Sequence, residues 1–416
     1  MTDKRHLKKL VRERMARTGE SYSTARRQVL AKAPGRSTLP DGLVTGYDRF
    51  GAEHHHPSGL VGHLLRQAGY GPYSEAMVCG LGGGIGFMYA MFEYTNIPPL
   101  MTIVMQHHPD PWLPAVLGTL SIGYAEEHST SPTAALKALR AFLADGRPVY
   151  CDVDRGGLPW HAGELSLPSD PYGVVVAGES DGAFHLDDRD RAPHTLPVDE
   201  FMAAWSGHKK GRHHRVTVEP ATGRPDLAAA IKQAIATTVG HLTGPVLGNA
   251  FDVNFGFSGM ARLADQLRDD RTKSGWARRL TDPGAFAWTV RRLHDCLEVE
   301  YTAPGGTRPL YADFLDEAGH GGAADLFRES ARHWSALADR AAETADSLGP
   351  LAELAEHRMA VVMTKGRAGA DEIRALSAEI AAEPEPDLDR PARYAEFADL
   401  IDAARDAEER AVALVC

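Results

Sequence analysis

The stretch from Phe50 to Phe87 constrains this chain more than any other. A triple histidine, His54-His55-His56, opens an apparent helix. Ser74-Glu75 follows, and then a glycine run from Gly80 to Gly86 that ends in Phe87. Glycine-rich turns cradle phosphates in nucleotide-binding proteins, but this run lacks the Lys-Ser/Thr ending of a P-loop and does not read as a strand-to-helix turn. Nucleotide binding is therefore set aside.

The 416 residues exceed what a single core usually fills, so two domains are expected. A hydrophobic content of 43% with 24% charged residues fits a globular protein, and no apolar run reaches membrane-helix length. The start, Met1-Thr2-Asp3-Lys4-Arg5, lacks the apolar core of a signal peptide, so no membrane association and a cytoplasmic location are expected. Cys79, Cys151, Cys296 and Cys416 are too widely spaced for a zinc site or a dense disulfide framework and read as reduced thiols.

The net charge of −11 argues against whole-surface nucleic-acid binding, yet residues 1–36 carry eleven Lys/Arg against three Asp/Glu. Apolar spacing there predicts two short amphipathic helices, a basic arm suited to an acidic carrier protein or to nucleic acid, with a solvated helical hairpin as the plainer alternative. Further on, Ser58 to Ala68 reads as a helix, and Thr102–Met105 and Val149–Val153 read as strands. Val174–Ala177 and Ala183–Leu186 read as a hairpin about Gly178–Gly182. A boundary is expected between Val218 and Pro225. Helical periodicity follows at Asp226–Thr238, Gly259–Leu267, Pro283–Leu297 and Ala323–Leu348, then in an acidic tail.

In order along the chain come Phe50-Gly51, the His-rich helix start, Ser74-Glu75, the glycine run, Gly146-Arg147-Pro148-Val149 and Leu158-Pro159-Trp160. In that order they resemble the butirosin-biosynthesis H family. The second half resembles the helical domain of unknown function that usually follows it, through Gly305-Gly306, Arg308, Tyr311, Phe314, Leu315 and Ala318. The resemblance implies an α+β fold: a papain-like domain with an antiparallel sheet at 44–218 and a mainly α-helical companion at 226–349, beyond which the helical periodicity places an acidic tail at 350–416. The chemistry it implies is acyl transfer in small-molecule biosynthesis, an aminoacyl group passing from a carrier-protein thioester to an amine.

In the family pattern a His-Cys pair opens the first helix, whose N-terminus lowers the thiol pKa. Here that pair is His55-His56, so an imidazole stands at the nucleophile's position. The family's catalytic histidine matches Gly173, and its acid matches Asp187. The thiol mechanism in its usual form is thereby excluded.

Several groups remain to carry chemistry. Cys79 and Cys151 have apolar flanks and read as buried thiols. Ser58 can be activated by a neighbouring histidine or can serve as a first-turn hydrogen bonder. His56 at a helix N-terminus would stay neutral and could act as a base. His54, His56 and His161 could hold a transition metal, with His107-His108 ahead of Pro109-Asp110 as a further imidazole source. Glu75, Gly83, Gly84, Trp160, Arg308 and Tyr311 are expected to bind a small-molecule substrate; for the glycines the family counterpart shapes a loop beside the active site, and for Arg308 and Tyr311 the alternative is a structural ion pair and packing. Two functions stay open: an acyl or aminoacyl transferase with an altered site built on His56, Ser58 and Asp187, or a non-catalytic member that binds a ligand or metal.

Overall fold

A computed structural model describes residues 39–94, 97–161, 171–207 and 212–415. The basic arm and its docking role lie outside the described residues. The protein is α+β, with antiparallel sheets in its N-terminal half and helices in the C-terminal region. Its two compact units are discontinuous in sequence: one includes Gly83–Pro111 and everything from Ile231 onward, the other the preceding residues to Gly82 together with Trp112–Ala230. Among the described residues, no helix is long and apolar enough to cross a membrane.

The hairpin β1 (Ile85–Tyr94) and β2 (Ile97–Gln106) pairs antiparallel and belongs to the helical unit. The other unit carries a six-stranded sheet built from β3 (Tyr124–Glu127), β4 (Val149–Asp154), β5 (Pro171–Ser180), β6 (Ala183–Asp187), β7 (His194–Pro197) and β8 (Arg215–Val218), in the spatial order β3-β8-β4-β5-β6-β7. Every pairing in it is antiparallel.

Strand β4 shows why this sheet forms. Val149, Cys151 and Val153 are buried while Tyr150, Asp152 and Asp154 are partly exposed, the period-two alternation of a strand with one face in a core. That core also takes Val174 and Val176 from β5, Phe184 and Leu186 from β6, and Phe201 and Trp205 from a covering helix.

Helix α1 (His56–Gln67) begins with Pro57 in its first turn and buries Leu60, Val61, Leu64 and Leu65, one apolar stripe. Helix α2 (Glu75–Leu81) is capped by Ser74, whose side chain accepts the Met77 N–H at 2.9 Å. Helices α3 (Trp112–Thr119), α4 (Pro132–Ala144) and α5 (Val198–Gly207) complete this unit. The glycine run thus connects a helix, α2, to a strand, β1, the reverse of a P-loop's order.

The helical unit runs through α6 (Leu227–Thr243), α7 (Gly256–Arg268), α8 (Pro283–Glu298), α9 (Arg308–Glu317), α10 (Gly321–Ser347), α11 (Pro350–Lys365), α12 (Ala370–Ala382) and α13 (Arg390–Val412). Along α10 the buried positions Phe327, Ala331, Trp334, Ala338, Ala341 and Ala345 recur at three or four residues, and in α13, which packs on it, Phe397, Ile401, Ala404, Ala407 and Ala411 do the same. Burial of Trp334 alone contributes about 2–3 kcal/mol. The hairpin packs on α7 and α8, where Tyr89 donates to Gln266 at 2.8 Å and Trp276 donates to Tyr89 at 3.0 Å. A hairpin so covered belongs with the helices rather than with the segments beside it in sequence.

Candidate functional site

The three consecutive histidines point to three different places. Glu75, in the first turn of α2, accepts the backbone N–H of His55 at 2.6 Å and of His54 at 2.9 Å, and lies 3.2 Å from His54 Nδ1. Burial raises the Glu75 pKa, but these bonds and the charge of His54 outweigh it and hold the carboxyl below its usual value. Glu75, expected to bind substrate, fixes the loop that enters α1. His55 turns inward, its Nδ1 2.7 Å from Ser58 Oγ and its ring against Trp112. His55 and Ser58 are fully buried, and Ser58 serves as a first-turn hydrogen bonder.

His56 is the most accessible of the expected catalytic groups, its side chain 15% exposed. Its Nε2 lies 2.8 Å from the Gly173 carbonyl oxygen, and its ring stacks on Tyr172 at 5.0 Å. Nδ1 is buried without a hydrogen bond, 3.6 Å from an Asp188 oxygen. Burial lowers the His56 pKa, and Asp188 opposes this only in part.

Asp188 is where this cluster converges. Its carboxylate accepts from Trp160 Nε1 at 2.7 Å, His161 Nε2 at 2.8 Å and the Tyr172 hydroxyl at 2.6 Å. Burial works against the charged form, yet His161, His56 and Tyr172 hold this carboxyl far below the usual range. Trp160, expected to touch substrate, braces this acid and stacks on His194 at 4.1 Å.

Asp187 goes elsewhere, accepting from the Tyr47 hydroxyl at 2.6 Å, the Gly51 N–H at 2.7 Å and His63 Nδ1 at 2.7 Å. Asp187 thus spends its bonds on these three groups and acts on His56 through its charge, while the neighbouring Asp188 stands 3.6 Å from His56 Nδ1. Two acids in succession at the end of β6 were the available signal, and a single residue of register separates them.

At Gly173 a Cβ would stand 2.2 Å from the Tyr150 hydroxyl, so tyrosine fills the space where a side chain at this position would begin. Burial pushes up both the Cys79 and the Cys151 thiols, Cys79 with Glu75 adding to the effect and Cys151 with Asp152. Neither is a ready thiolate.

The remaining expected residues lie in the helical unit. Gly83 (φ +89°) and Gly84 (φ +60°) admit close neighbours: a Cβ on Gly83 would come within 2.6 Å of His107 Nδ1, and one on Gly84 within 2.4 Å of the Tyr311 ring. Tyr311 packs on Phe314 and Phe327. Arg308 is fully buried and spends its donors on Glu408, at 2.8 and 3.0 Å, and on the Met105 and Gly306 carbonyls. None of its described contacts leaves it free to grip a ligand.

The expected metal set does not form. His54 is held by Glu75, and His161 by Asp188, which also faces His56. Among the described residues the group that could hold an ion is instead His107, Asp110 and His241, whose donor atoms all lie within 4.8 Å of one another. The sequence marks His107 and Asp110, but His241 arrives from α6 and carried no local signal.

No curated protein matches the chain. Residues 55–189 match the family described as butirosin biosynthesis protein H, N-terminal, and residues 204–361 match a domain of unknown function (DUF4872). Residues 55–189 thus belong to the butirosin biosynthesis protein H N-terminal family, a biosynthesis-related enzyme family, and residues 204–361 belong to that companion domain.

Proposed function

We propose that the sheet-bearing unit is a papain-like relative that holds an acyl or aminoacyl group of small-molecule biosynthesis without forming an acyl-enzyme. One observation carries the reading: the residue at the nucleophile's position, His56, is bonded at Nε2 to the Gly173 carbonyl and buried at Nδ1. A nucleophile needs a lone pair aimed at the reacting carbon, and neither nitrogen offers one in this arrangement. Ser58, Cys79 and Cys151 are buried and cannot replace it. The ligand class is a thioester-borne acyl group, such as a carrier protein presents, together with a small-molecule amine.

A second reading rests on the partial exposure of the His56 side chain and its lowered pKa. Released from Gly173, a neutral His56 could serve as a base for direct transfer. The amine nitrogen attacks the thioester carbonyl carbon, the carbon–sulfur bond breaks, and His56 carries the amine's proton to the departing sulfur. The products are an amide and a thiol.

One experiment separates these readings. The protein is incubated with an aminoacyl pantetheine thioester and a primary amine; binding is read by equilibrium dialysis, adducts by intact mass, and amide by chromatography. Binding with neither adduct nor amide is expected. Amide formation lost in His56→Ala selects the second reading, and a covalent acyl adduct on any residue of this unit refutes both.

A further inference from the structure

His107, Asp110 and His241 lie wholly within the helical unit and are unused by the proposed acyl-binding role. His107 follows β2, Asp110 lies three residues on, and His241 comes from the last turn of α6. Three side chains from two distant segments thus meet at one point. His107 Nε2 lies 3.3 Å from an Asp110 carboxylate oxygen, and the His107 and His241 rings stand 4.2 Å apart at 44°.

We infer that these three residues form a binding site for a divalent first-row transition metal ion, Zn²⁺ foremost. Tetrahedral bonds of about 2.0–2.1 Å place neighbouring ligand atoms about 3.3 Å apart, the separation seen between His107 Nε2 and Asp110. Two imidazoles and a carboxylate are ligands that suit zinc or iron, and three protein ligands leave a coordination position for water or substrate.

The surroundings aim the ligands. His107 is only 4% exposed, and its Nδ1 is buried against Gly83 with no hydrogen bond, so Nε2 is the nitrogen presented to the cluster. A side chain at Gly83 would displace that ring, which gives the glycine run a specific use: it seats the metal-facing imidazole. His241 hydrogen-bonds the backbone of His108, which fixes its ring. Asp110 is mostly exposed, leaving an entry path on its side.

The test uses full-length protein made without a histidine tag, stripped with chelator and titrated with Zn²⁺ calorimetrically, with bound metal counted by elemental analysis. One ion per chain is expected. Asp110→Asn and His241→Gln, both at accessible positions, should weaken binding by about 10- to 100-fold or more while circular dichroism stays unchanged. His56→Ala should bind as the unaltered protein does. Co²⁺ in the same site should give visible absorption that the two ligand variants lose. The inference is overturned if the unaltered protein takes up no stoichiometric metal, or if both ligand variants keep it and His56→Ala loses it.

Discussion

His56 Nε2 stands 2.8 Å from the carbonyl oxygen of Gly173, so an imidazole at the start of α1 meets a peptide oxygen of β5. The space beside Gly173 is already filled, because the Tyr150 hydroxyl stands where a side chain on residue 173 would begin. Gly173→His should therefore destabilise the protein by about 1–3 kcal/mol through overpacking, and Tyr150→Ala in the same chain should recover much of that. Urea unfolding of the single and paired variants measures both numbers; equal stability of Gly173→His and the unaltered protein would contradict the packing.

The described cysteines should be chemically silent. Burial raises the Cys79, Cys151 and Cys296 thiols, the last pushed up to about 11. Iodoacetamide at pH 7.5 on folded protein should leave all three unmodified by peptide mapping, and unfolding in urea should expose them. Labelling of Cys79 in the folded state would reopen thiol chemistry.

Asp295 supplies a pH dependence. Burial pushes its carboxyl up to about 6, with Glu300 and Glu356 adding to the rise and Arg291 and Arg292 opposing it. A folded pKa above the unfolded value means that the folded state binds the proton more tightly. The stabilising contribution is full below about pH 4 and is lost as pH rises through about 6. Asp295→Asn should stabilise the protein by about 1–3 kcal/mol at pH 7.5 and by almost nothing at pH 4. Denaturant curves at the two pH values give the comparison, and a larger gain at pH 4 would reverse the sign argued here.

The Arg308–Glu408 pair is fully desolvated, and Ser330 at 2.6 Å and Trp334 at 2.9 Å also donate to Glu408. Glu408→Gln leaves a buried guanidinium without its counter-charge and should cost about 3–5 kcal/mol. Replacing both Arg308 and Glu408 with Met should cost less than Glu408→Gln alone, since no charge is stranded. Thermal unfolding of the variants tests this; additive losses would mean that the pair is not coupled.

Much of the architecture was readable because it is local. The alternation through Val149, Cys151 and Val153 announces a strand, and the apolar stripe behind Pro57 announces a helix. The family, too, followed from motifs kept in order. The roles of single residues were less readable, because they depend on contacts across long separations. Arg308 reads from the sequence either as a ligand contact or as a structural ion pair, and its partner Glu408 lies 100 residues on, beyond the reach of any motif. Asp187 and Asp188 are chemically identical in sequence, and only the turn of the chain after β6 decides which one meets His56. His241 meets His107 through the path of α6, which no spacing rule encodes.

The hairpin β1–β2 has a consequence for how this chain is made. Its strands are synthesised well before the helices they pack on, and Arg308 binds the Met105 carbonyl from 203 residues away. At ribosomal speeds of 5–20 residues per second, that gap lasts roughly 10–40 s. For that time Phe87, Met101 and Ile103 wait in the cell with no partner surface yet in existence, while the sheet that surrounds them in sequence can already close. The nascent protein thus carries an apolar ribbon before its covering helices exist, and a fragment ending near Ala230 would lack those helices altogether.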